Sequence, residues 1–374
     1  MLRSVLKKTS LFILFFSSIA SYSQYYKLSD KSKVSILTCG SGEELYSIYG
    51  HTAIRVLDSI NGIDVVYNYG NFDFGTPNFY PKFVKGDLQY FASASSFQDF
   101  ISDYVYDNRD VFEQNLLISL DQKQRLFDEI NASLYSDEKF YTYKFIDKNC
   151  TTMVLNKVNA VFGSTVVTKK LNIDVSYRTV LYSYLDNHFF ENLGINIIFG
   201  KKTDAPATKL FLPKELMDNL KISRFNNKPI VEEVLVLNKK NPEKVPVSYW
   251  NNFYFFSFLL LIILVLNRKV IHLVYFSILG SMGVFLTLVG FYSLHHEVSQ
   301  NYNILLFNPS LLLLVYSNIR KKNKWIVNLS YFNMASLAVY LVVIVTKVDF
   351  IMMLPLILVS GVILSKFAIQ SKSY

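Results

Sequence analysis

The C-terminal third of the chain alternates long apolar runs with short charged loops. Five of these runs are predicted to cross a membrane: Trp250–Leu266, Val270–Leu294, Ile304–Ser317, Trp325–Val345 and Phe350–Leu364. A span needs ~20 apolar residues, so the first and third runs are short and need flanking residues to cross. Backbone amides find no water in lipid, and apolar runs of this length satisfy them as helices. The pattern therefore predicts an all-α transmembrane bundle of about five helices over residues 249–374.

The charged residues of this region indicate its orientation. Loops on one side of the predicted bundle hold eight Lys and Arg residues, whereas loops on the other side hold only Lys347. The eight are Arg268, Lys269, Arg320, Lys321, Lys322, Lys324, Lys366 and Lys372. Positively charged loops stay in the cytoplasm, so the residues before the first span face outward. Because so many cations lie in membrane loops, the net charge of +9 does not indicate a nucleic-acid partner, and none is predicted.

The N-terminus agrees with this orientation. Residues 1–24 combine the cations Arg3, Lys7 and Lys8 with the apolar stretch Leu11–Ala20 and small residues up to Ser23. This layout is typical of a secretory signal peptide, and an uncleaved anchor is the alternative. Both export the segment that follows. We therefore predict a multi-pass protein of the inner (cytoplasmic) membrane, with residues 25–225 as a periplasmic domain.

Residues 25–225 have the mixed polarity of a water-soluble domain. Strands are predicted at Val34–Thr38, Thr52–Leu57, Val65–Tyr69 and Tyr141–Phe145, and helices at Ser96–Asn108, Asp121–Leu134 and Thr151–Phe162. Ser96 and Asp121 are predicted N-caps. The elements do not alternate regularly as βαβ units, which favours an α+β fold. Residues 226–248 contain Pro229, Pro242 and Pro246 among charges and are predicted to be a linker.

The chain has two cysteines, Cys39 and Cys150, and an exported pair first suggests a disulfide. Cys150, however, lies where a predicted strand ends and a predicted helix begins. A helix N-terminus stabilises a thiolate, and its free N–H groups can hold an oxyanion. A cysteine nucleophile also needs a base, for which His51, at the start of a predicted strand, is the candidate. These residues alone leave both a structural and a catalytic interpretation open.

A second polar cluster, His295, His296 and Glu297, follows the second predicted span. It lies on the same side as the periplasmic domain, where His295 and His296 are predicted to contact a substrate head group; anchoring at the membrane interface is the alternative. Three consecutive residues rarely converge on one ion, so no metal is predicted, and no cofactor either. Asn308 interrupts the third run and is predicted to bind a neighbour or to line a substrate cavity.

Two motifs resemble the circularly permuted papain-like proteins, in which a His-bearing strand precedes a Cys-bearing helix. They are Gly50-His51-Thr52-Ala53 and Asn149-Cys150-Thr151-Thr152. The segments 37–46, 69–74 and 141–152, together with the apolar runs, resemble the Lnb family. The resemblance implies a permuted papain-like domain that acts as a lipoprotein N-acyltransferase. Such an enzyme moves an acyl chain from a phospholipid donor to the α-amino group of a lipoprotein's lipidated N-terminal Cys.

The resemblance also implies residue roles. Cys150 would form an acyl-thioester, with His51 as general base. Asn68 on the next strand, or alternatively Asp73, would orient His51, and Asp73 could instead bind the incoming ammonium. Tyr49 and Tyr69, which belong to the matching motifs, are predicted to contact substrate.

Two other functions compete with acyl transfer. A hydrolase of the same fold, either a peptidoglycan peptidase or a phospholipase, differs only in using water as acceptor. A non-catalytic membrane-tethered assembly module would instead hold Cys39 and Cys150 as a structural disulfide. We expect Cys39 to be a buried small residue, and a Cys39–Cys150 disulfide would block the catalysis that the motifs imply.

Overall fold

A seven-stranded antiparallel sheet forms the centre of the N-terminal domain, with strand order β6-β4-β3-β2-β1-β5-β9. The computed structural model describes residues 26–242 and 248–372; the predicted signal peptide lies outside them. The strands are β1 Lys33–Cys39, β2 His51–Asp58, β3 Ile63–Asn71, β4 Gln89–Ser96, β5 Val111–Asn115, β6 Phe140–Thr142 and β9 Leu235–Asn238. Two short strands, β7 Arg224–Phe225 and β8 Lys228–Pro229, form a separate hairpin.

Strands β1 to β3 form the middle of the sheet, and their register brings the predicted site residues together. His51 lies opposite Cys39 on β1, and Ala53 lies opposite Asn68 on β3. The turn between β2 and β3 contains Gly62, whose φ of +64° suits glycine. The three strands match the predicted ones because they are rich in β-branched and apolar residues, which favour a buried sheet.

Helices cover both faces of this sheet. The domain contains α1 Phe79–Lys85, α2 Phe97–Tyr106, α3 Leu120–Leu134, α4 Cys150–Val161, α5 Tyr177–Tyr182, α6 Phe189–Ile198 and α7 Pro213–Ile222. On one face α3, α4 and α7 bury a core that includes Ile54, Tyr67 and Val154. On the other face α2 packs over a smaller core around Ala53 and Phe100.

Two of the N-terminal helices test the predicted caps. Ser96 caps α2 by accepting a hydrogen bond from the Asp99 amide, as predicted. Helix α3 begins one residue before Asp121, because Ser119 and Gln122 form a reciprocal capping box there. The Asp121 cap was therefore wrong, and this residue lies in the first turn instead.

The C-terminal region is helical and contains four candidate membrane spans. Its helices are α8 Phe253–Leu266, α9 Lys269–Tyr292, α10 Ser310–Ile319, α11 Asn323–Ile344 and α12 Phe350–Lys372. Helix α10 is long enough to cross only together with the 3₁₀ turns that precede it, as the segment His296–Ile319. Helix α8 has 14 residues, a rise of about 21 Å, which is less than the ~30 Å hydrocarbon core. The first predicted span is thus an apolar helix shorter than a full span.

The two domains share a core, because helix α6 of the N-terminal domain packs into the helical bundle. Its residues Phe189, Leu193 and Ile197 belong to the same buried cluster as Phe276 and Tyr340. Polar contacts fix the same junction. The side-chain amides of Asn301 and Asn303 donate hydrogen bonds to carbonyls of residues 196–198 at 2.8–3.0 Å. The N-terminal domain is therefore held against the outer side of the bundle.

Part of the predicted linker belongs to the sheet. Strand β9 pairs with β5, with Leu235 opposite Glu113 and Val236 opposite Phe112. The apolar alternation of Leu235 and Leu237 extends the sheet by one edge strand. The tether to the bundle is accordingly shorter than the predicted 226–248.

A buried arginine is the centre of a polar network at the domain junction. Arg178 on α5 forms an ion pair with Asp204 at 2.7 Å and lies 3.9 Å from Asp349, which precedes α12. Its guanidinium also donates to the carbonyls of Asn196, Phe199 and Gly200. One cation thus lies between a carboxylate of each domain and satisfies three carbonyls of the N-terminal domain.

Replacing Arg178 with alanine is expected to destabilise the folded protein by about 3–5 kcal/mol, because Asp349 and three buried carbonyls would lose the guanidinium. Asp204 would be left with the ammonium of Lys347, which lies 3.1 Å away. The apparent unfolding temperature of the full chain in detergent should fall by roughly 5–10 °C. Arg125→Ala is the matched control, since Arg125 forms an exposed i,i+4 pair with Asp121 and such pairs contribute at most about 1 kcal/mol. Equal melting of both variants and the wild type would contradict this role of Arg178.

Candidate functional site

His51 is held at the start of β2 by the residue before it. Gly50 has a φ of +81°, and a Cβ there would lie 2.4 Å from the carbonyl oxygen of Cys39. Only glycine lets the chain approach β1 this closely. From this position the Nε2 atom of His51 lies 3.1 Å from Oδ1 of Asn68. This hydrogen bond leaves the Nδ1 atom of His51 free to serve a second group.

Cys150 is the first residue of α4, at the helix N-terminus. The preceding Asn149 caps the helix by accepting a hydrogen bond from the Thr152 amide at 3.0 Å. The side-chain amide of Asn149 donates to the carbonyls of Phe145 and Phe211, which anchors the cap to two neighbouring segments. The thiol therefore lies in the positive field of a firmly held helix end.

The sheet brings His51 and Cys150 together. The side chains of Thr52 and Thr151 lie 3.1 Å apart, which joins the start of β2 to the start of α4. Burial raises the pKa of the Cys150 thiol, but the His51 imidazole and the Thr52 amide stabilise the thiolate more strongly, so the thiol pKa lies below its ordinary value. A stabilised thiolate next to an imidazole is the arrangement of a nucleophile and its base.

A glycine keeps the space beside this pair open. Gly70 on β3 has a φ of +123°, and a Cβ there would lie 3.4 Å from Cβ of Cys150 and 3.6 Å from Cε1 of His51. The β3 ladder is irregular between Tyr69 and Asn71, next to this glycine. Irregular strand pairing of this kind redirects side chains at active sites.

Cys39 and Cys150 are both free thiols. Cys39 is buried, and burial raises its pKa to about 12. The predicted burial of Cys39 agrees with its position, whereas the disulfide alternative is not formed.

The two thiols are expected to react very differently with iodoacetamide. At pH 7 Cys150 should be alkylated at least about 100-fold faster than Cys39, because one thiol has a lowered pKa and the other a raised one. The rate at Cys150 should reach its plateau at a lower pH than that of a free cysteine. Peptide mass mapping of the folded protein after timed quenching measures both rates, and comparable labelling of the two would contradict the site geometry.

Of the two residues predicted to orient His51, the structure brings only Asn68 to it. Asp73 is exposed, and its carboxylate accepts a hydrogen bond from the Gly75 amide at 2.7 Å within a turn. Binding of an ammonium by Asp73 stays a prediction.

The two predicted tyrosines lie in different environments. Tyr69 is 2% exposed in the core under α3 and α4, which does not suit substrate contact. Successive strand residues face opposite sides, so the register that turns Asn68 toward His51 turns Tyr69 into the core. Tyr49 is half-buried against Phe145 and Tyr184, with ring centroids 5.5 and 5.9 Å away. Substrate contact by Tyr49 stays a prediction.

The polar cluster after α9 joins the two domains. His295 is buried, with Nε2 3.0 Å from the carbonyl oxygen of Phe83, and Glu297 accepts a hydrogen bond from the Ile146 amide at 3.1 Å. His296 is exposed. The Nδ1 atom of His295 lies 4.0 Å from Oε2 of Glu297, so these two side chains face each other, whereas His296 does not join them. Within the described ranges no group of three His, Cys, Asp or Glu residues could hold a metal ion.

Asn308 lies two residues before α10. Its Oδ1 atom accepts a hydrogen bond from the Ser310 amide, and its side-chain amide donates to Ser336 at 3.2 Å. These contacts agree with the prediction that a neighbour satisfies it. Substrate contact by His295, His296 or Asn308 stays a prediction.

Sequence reasoning missed an aromatic group beside Cys150. Tyr90 on β4 stacks on Tyr143 with ring centroids 4.3 Å apart, and Tyr141 on β6 is their neighbour. Burial, together with the nearby Cys150, raises the pKa of Tyr141. Its buried hydroxyl has no hydrogen-bond partner within residues 26–242 and 248–372. Strand β4, with the sequence QYFASASS, carries too little apolar alternation to predict this group.

The comparisons with known proteins agree with this architecture. A family model described as the Lnb N-terminal periplasmic domain matches residues 20–183, and one described as the Lnb transmembrane domain matches residues 267–372. Together the two matches cover well over half of the chain. No curated protein and no solved structure matches it. The chain therefore belongs to the Lnb family and is a membrane protein with a periplasmic N-terminal domain.

Proposed function

We propose that this protein is a lipoprotein N-acyltransferase of the inner membrane with Cys150 as its nucleophile. The observation that carries the proposal is the pairing of a stabilised Cys150 thiolate with an Asn68-bound His51 in a domain joined to membrane helices. Family membership supports a lipoprotein-related role at the membrane. The donor is a phospholipid and the acceptor is a diacylglyceryl-cysteine lipoprotein.

In the first half-reaction His51 takes the thiol proton and the Cys150 thiolate attacks the ester carbonyl of the phospholipid. The tetrahedral intermediate collapses when its C–O bond breaks, which leaves an acyl-thioester on Cys150. The lysophospholipid alkoxide leaves with the proton that His51 returns. The α4 N-terminus and the unpartnered Tyr141 hydroxyl supply donors for the oxyanion.

In the second half-reaction the free α-amino group of the lipoprotein attacks the thioester. A C–N bond forms, the C–S bond breaks, and the Cys150 thiolate leaves. His51 accepts the proton that the amine loses and passes it to the Cys150 sulfur, which restores the pair with which the first half-reaction began. The product is an amide-linked third acyl chain, and neither half-reaction uses a metal or a cofactor.

The order of the motifs supports a permuted papain-like arrangement. His51 on β2 precedes Cys150 on α4, and the helix N-terminus faces the strand that carries the base. We propose this as the fold of the periplasmic domain. Tethering to a bundle suits the reaction, since lifting acyl chains into water costs ~0.8 kcal/mol per CH₂.

The proposal is tested with the full-length protein in phospholipid nanodiscs. The acceptor is a synthetic diacylglyceryl-cysteine peptide, and the donor phospholipid carries deuterated acyl chains. We expect mass spectrometry to show the peptide with one additional deuterated acyl chain on its amino group.

Other outcomes identify the competing functions. Release of deuterated fatty acid at the same rate with and without the peptide would overturn transfer and establish a phospholipase. Cleavage of isolated peptidoglycan without any acylated peptide would establish a peptidase. Absence of product and of thioester would favour the non-catalytic assembly module.

A further inference from the structure

A surface of aromatic side chains leads away from the Cys150 site. We name as the aromatic ridge the residues Tyr46, Phe72, Phe74, Phe79, Tyr80 and Phe83, which come from the loop before β2, the loop after β3 and helix α1. Phe74 is 61% exposed and Tyr80 is 72% exposed. Large apolar side chains exposed next to one another mark a surface that binds something apolar.

The ridge begins at the catalytic pair. A Cβ at Gly70 would contact Cys150 and His51, and two residues further along the chain the Phe72 ring packs 5.1 Å from that of Tyr90. Phe74 packs on Phe72 at 4.9 Å and also on Phe79 at 4.9 Å. The rings therefore form a connected series from Tyr90, which belongs to the aromatic group beside Cys150, to helix α1.

The other end of the ridge reaches the membrane boundary, because α1 is bound to the outer end of α9. The Leu294 amide donates to the carbonyl of Lys85 at 2.7 Å, and the Ser293 hydroxyl donates to that of Val84 at 2.7 Å. Helix α9 ends with the exposed rings of Phe291 and Tyr292. Exposed aromatic side chains at the end of a span lie at the level of lipid head groups.

The charge of α1 suits a phospholipid. Lys82 and Lys85 lie in its last turn. Lys85 forms an ion pair with Asp87, whereas Lys82 forms no ion pair within the part of the chain that the structure describes. An ammonium next to exposed aromatic rings at the membrane boundary fits a lipid phosphate above acyl chains.

We propose that the aromatic ridge binds a phospholipid of the outward-facing leaflet and guides its acyl chain from the bilayer to Cys150. The inference rests on the proposed function, for which it names the donor site. A diacylglyceryl lipoprotein also carries acyl chains but has no phosphate head group for Lys82. The ridge is therefore assigned to the donor.

The test compares Phe74→Ser/Tyr80→Ser with Tyr106→Ser in the full-length protein in nanodiscs. All three positions are exposed aromatics, and Tyr106 lies at the end of α2 away from the ridge. Binding is measured in a Cys150→Ala background with a phospholipid that carries a diazirine in its acyl chain. We expect crosslinks in the peptide that contains residues 72–83, about 10-fold weaker in the ridge variant and unchanged in the Tyr106 variant.

Turnover is measured separately in proteins that retain Cys150. The rate of thioester formation from a long-chain phospholipid should fall about 10-fold in the ridge variant, whereas acylation by the short ester p-nitrophenyl butyrate should change less than about twofold. Crosslinks on residues 72–83 with a wild-type enzyme that acylates no peptide would sustain the lipid site and overturn the proposed function. The inference would be overturned if the ridge variant were crosslinked as strongly as the wild type. It would also be overturned if a diazirine lipopeptide labelled the ridge and the diazirine phospholipid did not.

Discussion

Replacing Cys150 with alanine is expected to abolish attachment of the third acyl chain to lipoproteins. The Thr151 hydroxyl, 4.0 Å from Sγ of Cys150, is engaged with the hydroxyl of Thr52 and cannot replace a thiolate. Loss of a covalent nucleophile reduces turnover by up to about 10⁶-fold in well-studied hydrolases, so we expect a decrease of at least ~10³-fold. The measurement is mass spectrometry of a lipoprotein's N-terminal peptide from a host that lacks this gene and carries each variant.

Cys39→Ala is the matched control for this experiment. Cys39 lies across from His51 on β1 but is buried, with a raised thiol pKa, and takes no part in the proposed chemistry. This variant should retain the triacylated product. Lipoproteins with three acyl chains in the Cys150→Ala host would refute Cys150 as the nucleophile. Lipoproteins that lack the third chain only in the Cys39→Ala host would point to the assembly module instead.

Replacing His51 with alanine is expected to lower acyl transfer by about 10³–10⁴-fold, because the base and a stabiliser of the thiolate are lost together. His51 lowers the pKa of Cys150, so its removal should raise this pKa and shift the alkylation profile of the thiol to higher pH. Asn68→Ala removes only the hydrogen bond that orients the ring. We expect this variant to lose ~10–100-fold in rate, with a smaller shift of the same sign.

Alkylation rates of purified variants between pH 5 and 10, together with transfer rates in nanodiscs, measure both effects. Cys39→Ala again serves as the control, whose profile should overlay that of the wild type. An unchanged alkylation profile in His51→Ala would show that the imidazole does not affect the pKa of the Cys150 thiol, which would contradict the assigned pair. Equal losses in Asn68→Ala and His51→Ala would show that orientation alone decides the rate.

Much of the fold could be predicted because its signals are local. The strands with His51 and Asn68 are rich in β-branched and apolar residues, and the long apolar runs identify most of the bundle. The elements that were missed depend on tertiary context. Strand β5 has the sequence VFEQN and β9 has the sequence LVLN. Each is too short for its sequence to predict a strand, and each is stabilised by pairing with its neighbours in the sheet. Composition predicts helix α8 as a span, although the Asn252 cap begins it and Asn267, with a φ of +45°, ends it after 14 residues.

The candidate site likewise contains residues that local motifs predict and residues that only the tertiary structure identifies. Cys150 and His51 lie in short motifs whose residue types already indicate chemistry. The choice between Asn68 and Asp73 needed the register of β2 and β3, which sequence spacing does not contain. The position of Tyr69 followed from the same register. The aromatic ridge is assembled from three separate segments, and it becomes visible only when α1 is placed against α9.

The packing of helix α6 into the bundle has a consequence for biosynthesis. Phe189, Leu193 and Ile197 are made before any of the membrane helices that cover them. The apolar surface of α6 in the exported domain therefore stays uncovered until α12 has been translated and the bundle has formed around it. A gene fragment that ends before α8 should yield an aggregation-prone domain with this surface exposed. A protease that cleaves at the exposed surface would distinguish completely translated molecules from truncated ones.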